Sequence, residues 1–264
     1  MPVLILLPAS EGKTPATSGA AVDWEGLSFP ELTAARRQAA HGLQEISAHP
    51  DGLAELGLGA SLGEQLEHNL RVHTAAAAPA HKVYSGVLYD ALDYPGMTAA
   101  QRKKAQEAII VFSGLWGAVS FADSIPAYRL PISAGLPGTG RLAGYWREQL
   151  TASLNARAEG ELIIDCRSSG YAAMWVAPAE RSVEVKVFQL RNGKRSVVSH
   201  FAKHTRGELA RHLLTRRGKT PGSPEALLKA AQERWEAELS PAKGKNAHTL
   251  SLILPEGVSF AKKG

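Results

Sequence analysis

Residues 112–130 read FSGLWGAVSFADSIPAYRL, and the first of them closes an apolar run, Ile109-Ile110-Val111-Phe112. Branched and aromatic side chains in an unbroken row describe a short buried strand. The run stops at Ser113-Gly114, where a hydroxyl and a residue free to take positive φ replace the branched side chains. Pro126 fixes an extended turn, and Tyr128 and Arg129 follow it closely. Small polar groups at a strand end, with a phenol and a guanidinium just behind, suit the binding of an anion. The competing reading is a packed strand–loop joint whose arginine merely faces water.

On either side, strands are expected over 3–7, 162–165, 183–190, 196–201 and 249–254. The run 183–190 alternates valine with charged partners, as a half-exposed strand does. Arg191-Asn192-Gly193-Lys194 then supplies an Asn-Gly hairpin signal. Helical periodicity covers 30–49, 99–108, 142–157, 206–216 and 224–238, while 75–79 and 136–139 read as loops. Strands and helices in mixed order, with a hairpin late in the chain, argue for an α+β fold rather than a regular doubly wound sheet. With no internal repeat and no long linker, residues 1–264 are expected to form a single compact domain.

The 264 residues are 44% hydrophobic, enough to fill one core. Apolar runs last only a few residues, so no membrane span is expected. Met1-Pro2 leads straight into VLILL, too short and too lightly charged for a signal peptide. The one cysteine, Cys166, excludes an intramolecular disulfide, and paired cysteines for zinc are lacking. A cytoplasmic chain is the expectation. The formal charge of +5 favours a polyanionic partner.

The stretch 112–130 also resembles the corresponding segment of the YaaA family of bacterial peroxide-stress proteins. The family's strand ends in Ser-Gly-Leu-aromatic-Gly, followed by an acidic residue and Pro-x-Tyr-Arg-Leu. Here these are Ser113-Gly114-Leu115-Trp116-Gly117, Asp123 and Pro126-Ala127-Tyr128-Arg129-Leu130. Other matches follow in register: Ser10 and Lys13 after the first strand, Val83-Tyr84-Ser85-Gly86, Tyr145-Trp146 with Leu154-Asn155, and Phe201-Ala202-Lys203 with Arg206-Gly207. Ser168 and Tyr171 also match, whereas Ser169-Gly170 stands where the family's best-known form has an acidic pair. The resemblance implies a central β-structure ringed by helices, and a cytoplasmic protein that binds duplex or branched DNA without strong sequence preference. Because most of them stand at strand ends or helix starts, Ser10, Lys13, Tyr84, Ser113, Tyr128, Arg129, Trp146, Ser168, Tyr171, Lys203 and Arg206 are expected to line one nucleic-acid- or anion-binding cleft.

Two segments carry a nucleic-acid reading. In LAELGLGASLGEQL, residues 53–66, Leu56-Gly57-Leu58-Gly59 sits between apolar half-turns in the manner of a helix-hairpin-helix, a motif the YaaA family is described as containing. Its glycines let backbone approach a phosphate without reading bases, although Glu55, Glu64 and Glu67 oppose phosphate. Lys203, Arg206 and Arg211 are expected around the start of a helix near Arg206, with Gly207 and Leu214 on one face and Leu209 and Leu213 toward the core. Arg216, Arg217 and Lys219 read as a solvated basic face.

His200 and His204 are four apart, but the predicted strand end between them argues against a metal pair. Cys166 stands where a nucleophile could, and a buried thiol is the commoner case. No cofactor signature is read. Two function classes remain: a DNA-binding protein that limits oxidative damage, or an enzyme acting on a small anionic substrate bearing phosphate or carboxylate. In the second, lysine and tyrosine would move protons while arginine holds the anion.

Overall fold

A mixed eight-stranded sheet forms the centre of the α+β domain. The computed structural model describes residues 3–191, 193–197 and 199–257. In chain order the strands are β1 (Val3–Pro8), β2 (Ile109–Ser113), β3 (Gly117–Ser120), β4 (Leu162–Asp165), β5 (Ser182–Arg191), β6 (Lys194–Val197), β7 (Glu236–Ser240) and β8 (His248–Leu254). They lie in the order β7-β8-β5-β4-β1-β2-β3, with β6 antiparallel on β5. The inner five, β8-β5-β4-β1-β2, are parallel. β3 and β7 close the two edges antiparallel. β1, β2 and β4 are the near-continuous apolar runs that a parallel strand covered on both faces requires.

The path through the parallel strands locates the site. From β1 the chain moves to one side to lay down β2, then crosses back to lay β4 on the other side of β1. Open sheets with such a reversal leave a crevice outside the carboxyl ends of the two strands where it occurs. The loops after β1 and β4 border that crevice.

Ten α-helices surround the sheet among the described residues: α1 (Thr33–Ala48), α2 (Gly52–Glu55), α3 (Gly63–Leu70), α4 (Ala80–Val83), α5 (Val87–Leu92), α6 (Ala99–Ala108), α7 (Leu142–Arg157), α8 (Ser169–Ala172), α9 (Ser199–Thr215) and α10 (Pro224–Gln232). Thr98 and Gln101 close a capping box on α6, and Ser223 caps α10 ahead of Pro224. The described helices include none long and apolar enough to cross a membrane.

Three expectations change. Residues 199–201 are helical, not strand. Thr205, Leu209 and Leu213 are buried at helical spacing, and that period reaches back through Phe201, so α9 starts directly after the short β6. Lys203 and Arg206 therefore stand beyond the first turn of α9, away from its free amide groups. The helix over 224–238 ends at Gln232, because Glu236–Ser240 alternates outward glutamates with inward Ala237 and Leu239 and pairs with β8. Ala78–Pro79 is not wholly loop but pairs with Ser124–Ile125. β3 was not legible at all, its four small residues resembling the turn before them. In the β5–β6 hairpin, Asn192 lies outside the described residues.

Candidate active site

β1 ends at Pro8, and the next five residues curl over the carboxyl edge of the sheet. The Ser10 hydroxyl donates to the Gly12 carbonyl at 2.5 Å and accepts from the Ser85 amide at 3.1 Å. Lys13 pairs with Tyr84 as an isolated antiparallel bridge. These links tie the loop to the segment after α4 and turn the Lys13 side chain inward. Its ammonium donates to the Ser10 carbonyl at 2.7 Å and lies 4.1 Å from the Tyr128 ring centre and 5.6 Å from that of Tyr84.

Lys13 as a residue is half-buried, yet its charged end sits among ring faces. Desolvation there brings its pKa from the ordinary 10.5 down to about 7, with Glu11 pulling upward and Arg129 adding repulsion. A substantial fraction is therefore neutral amine at physiological pH.

The tyrosines beside it form a directed chain. The Ser113 hydroxyl accepts from the Leu115 and Trp116 amides at 3.1 and 3.0 Å. Both of its lone pairs are thereby taken, so its proton points to the Tyr128 hydroxyl at 2.6 Å. Tyr128 in turn reaches the Tyr84 hydroxyl at 3.1 Å. Ser113, Tyr128 and Tyr84 are all buried. Burial raises the Tyr84 pKa to about 12 and that of Tyr128 well above its usual value, so both phenols remain protonated.

Arg129 meets Glu11 from the opposite wall. Its Nη2 lies 2.9 Å from Glu11 Oε2, and its Nη1 donates to the Glu11 carbonyl at 3.0 Å. Asn69 fixes the Arg129 backbone, accepting from its amide at 2.7 Å and donating to its carbonyl at 2.9 Å. Tyr171 comes from α8, after β4, and is buried. Its phenol pKa is raised by burial first, then by the charge of Glu11 and the neighbouring Tyr84, with Arg129 opposing. Arg167 holds α8 in place through a two-point pair with Asp165, at 2.9 and 2.7 Å, and bonds to the Tyr171 and Trp175 carbonyls.

Ser10, Lys13, Tyr84, Ser113 and Tyr128 are thus joined by direct contacts at the carboxyl edge of the sheet, with Arg129 tied to the same loop through Glu11. Among the remaining sequence candidates, Trp146 and Arg206 bond to the scaffold. Trp146 is fully buried and donates from its indole N–H to the Gly114 carbonyl at 2.7 Å, steadying the turn that presents Ser113. Ser168 is exposed at the head of α8, and Lys203 is exposed on α9. Arg206 donates twice to the Val185 carbonyl, at 3.1 and 2.8 Å, which makes it a clasp between α9 and β5. Gly207 faces α5, and Arg211 pairs with Asp93 at 3.0 Å.

Cys166 is buried, and its thiol pKa rises to about 12 through desolvation, so it supplies no thiolate at neutral pH. The His200 side chain lies outside the described residues. Among those described, no group of three or more His, Cys, Asp or Glu side chains could hold a metal ion. Two participants were missed by sequence reasoning. Glu11 lay inside the matched Ser10–Lys13 segment and could have been read from that position, whereas nothing local marks Asn69.

The segment after α1 makes the single turn α2, reverses through Leu56–Gly59, and enters α3 through a 3₁₀ turn at Ala60–Leu62. Leu56 is buried and Leu58 packs against the core. A Cβ at Gly57 or Gly59 would meet nothing within 4 Å, so both backbones face open space.

An open, largely parallel sheet with a strand reversal, and a lysine–tyrosine–arginine cluster near it, define the class as an α+β domain with a mixed central sheet. The chain belongs to the family described as peroxide stress protein YaaA, whose model matches residues 3–250. Among its relatives, a UPF0246 protein of Streptomyces coelicolor is 40% identical over 262 residues, covering 96% of this chain and 99% of that protein. A UPF0246 protein of Corynebacterium efficiens is 41% identical over 217 residues, covering 81% and 85%. One from Corynebacterium glutamicum is 38% identical over 213 residues, covering 80% and 84%.

Proposed function

We propose that the crevice outside β1 and β4 is a proton-transfer site for a small anionic substrate, serving a protein of the peroxide-stress family. The observation that carries this reading is the Lys13 ammonium at 4.1 Å from the Tyr128 ring, desolvated to a pKa of about 7 beside phenols that stay protonated. An amine poised near neutrality is a competent base, and phenols held protonated are hydrogen-bond donors for charge that develops on a substrate. Lys13 would take a proton from the substrate and, as the ammonium, return it at another atom, while Tyr84 donates a hydrogen bond to the charge that develops. The Ser113–Tyr128–Tyr84 chain orients that donor by fixing which oxygen lends its proton to which. Arg129 supplies the cation that selects an anionic substrate.

The crevice fits a DNA backbone less well. Arg206 is spent on the Val185 carbonyl, and the Arg129 side chain is only 15% exposed, so neither is laid open to a row of duplex phosphates. A second reading rests on a different surface. The unobstructed Gly57 and Gly59 backbones between α2 and α3 favour a hairpin that touches duplex or branched DNA through its main chain.

The test is a titration of the Lys13 side chain by NMR on protein carrying isotope-labelled lysine, repeated with small carboxylates and phosphates. A midpoint near neutrality that moves on adding one of these anions is the expected result. A midpoint at the ordinary lysine value would remove the basis for proton transfer at Lys13.

A further inference from the structure

A guanidinium presents two N–H groups, Nε and one Nη, along one edge, spaced to meet both oxygens of a carboxylate or phosphate. In Arg129 that edge holds an ion-pair contact and no directed hydrogen bond. Glu11 brings one oxygen to Nη2 at 2.9 Å, while Nε is buried with no hydrogen-bond partner. A buried N–H without an acceptor costs free energy, and native structures rarely leave one so. The arginine is not needed to hold its own segment, because the two bonds from Asn69 already fix the Arg129 backbone. Glu11 is half exposed and can swing to water, whereas the Arg129 side chain is only 15% exposed and stays.

We infer that the Nε–Nη2 edge of Arg129 is the seat of a two-oxygen anion, carboxylate or phosphate, and that Glu11 is a resident stand-in which the ligand displaces. The inference rests on the proton-transfer reading of the crevice and adds to it how the substrate is received. An incoming oxyanion takes Nη2 from Glu11 and gives Nε its missing acceptor. It also replaces the negative charge that Glu11 holds beside Lys13, so entry does not strip the lysine of its counter-charge. Tyr171, on the helix after β4, has its phenol pKa raised by the Glu11 charge and lowered by Arg129. Only an anion with two oxygens at carboxylate spacing makes the exchange favourable. Chloride would leave one N–H unmet.

The experiment follows the Arg129 Nε–H resonance in the intact chain while acetate, inorganic phosphate and chloride are added separately. Saturable movement with acetate or phosphate and none with chloride is expected. The stronger of the two names the ligand type, carboxylate or phosphate. Glu11→Ala should tighten that binding about fivefold, the effect of removing a competing, partly exposed ion pair. Arg129→Lys, which keeps the charge but loses the paired donors, should abolish it, read as a Lys13 midpoint that no longer moves on adding the anion. An affinity for both anions changed less than about twofold by Glu11→Ala, or a silent Nε–H in a folded protein, would overturn the inference. Lys13 is titrated in the same samples. A midpoint that stays near neutrality while Nε–H is silent sinks the anion seat alone, and an ordinary lysine midpoint sinks the proton-transfer reading itself.

Discussion

Lys13 is poised by three opposed influences, and their signs make it testable one neighbour at a time. Desolvation lowers its pKa most, Glu11 raises it and Arg129 lowers it. Glu11→Gln should therefore bring the midpoint below about 7, and Arg129→Gln should lift it, both read from the labelled lysine signal. A Glu11→Gln midpoint that rises would show that the carboxylate is not the counter-charge. Stability carries the same signature. A lysine with a depressed pKa binds fewer protons folded than unfolded between about 7 and its unfolded value near 10.4, so stability rises with pH across that window. Below pH 7 the penalty of keeping Lys13 charged is fully present. Lys13→Met should remove this rise, measured as the difference in denaturant midpoint between pH 7 and pH 10. A rise identical to that of the unaltered protein would assign it to another group.

α9 shows how one element can be right in existence and wrong in its reach. Its second half was legible from Leu209 and Leu213, but the apolar spacing of Phe201 and Thr205 was hidden behind a strand-like Ser196-Val197-Val198. The earlier start changes chemistry: Arg206 becomes a clasp on β5 instead of an anion ligand at a helix start. Gly207 changes meaning with it. A Cβ there would collide with the backbone carbonyl of Leu88 in α5, so the glycine serves helix contact. Gly207→Ala would gain ~1 kcal/mol of helix propensity but lose up to ~3 kcal/mol to overpacking against an unyielding main chain. The net loss of about 2 kcal/mol should lower Tm by roughly 6 °C. A raised Tm would mean that α5 yields. The loops after β1, β2 and β4 were readable as polar strand ends because each follows an apolar run. Their convergence was expected from that shared pattern, but which loops would adjoin was not readable, since strand order is a property of pairing between segments far apart in the chain.

For the whole molecule, the question is whether the crevice and any DNA surface are one site or two. A net charge of +5 spread over 264 residues gives only a weak general attraction, so duplex affinity must come from local phosphate contacts. Each such contact releases counterions, and losing one flattens the dependence of log K on log salt by roughly one unit. Arg129 is mostly buried and already paired with Glu11, so Arg129→Ala should abolish acetate or phosphate binding while leaving the DNA salt slope unchanged. Gly57→Val with Gly59→Val acts in the opposite sense. Branched side chains would fill the open space at both backbones and oppose the positive φ of Gly57, weakening duplex binding while small-anion binding at Arg129 persists. Lys203→Ala tests exposed α9 between the two, with Lys229→Ala on α10 as the control. A salt slope flattened by about one unit in Arg129→Ala would make the crevice a phosphate groove and merge the two sites. Independent losses, small anion with Arg129 and duplex with the glycines, would establish a domain whose sheet edge handles a small molecule and whose hairpin handles nucleic acid.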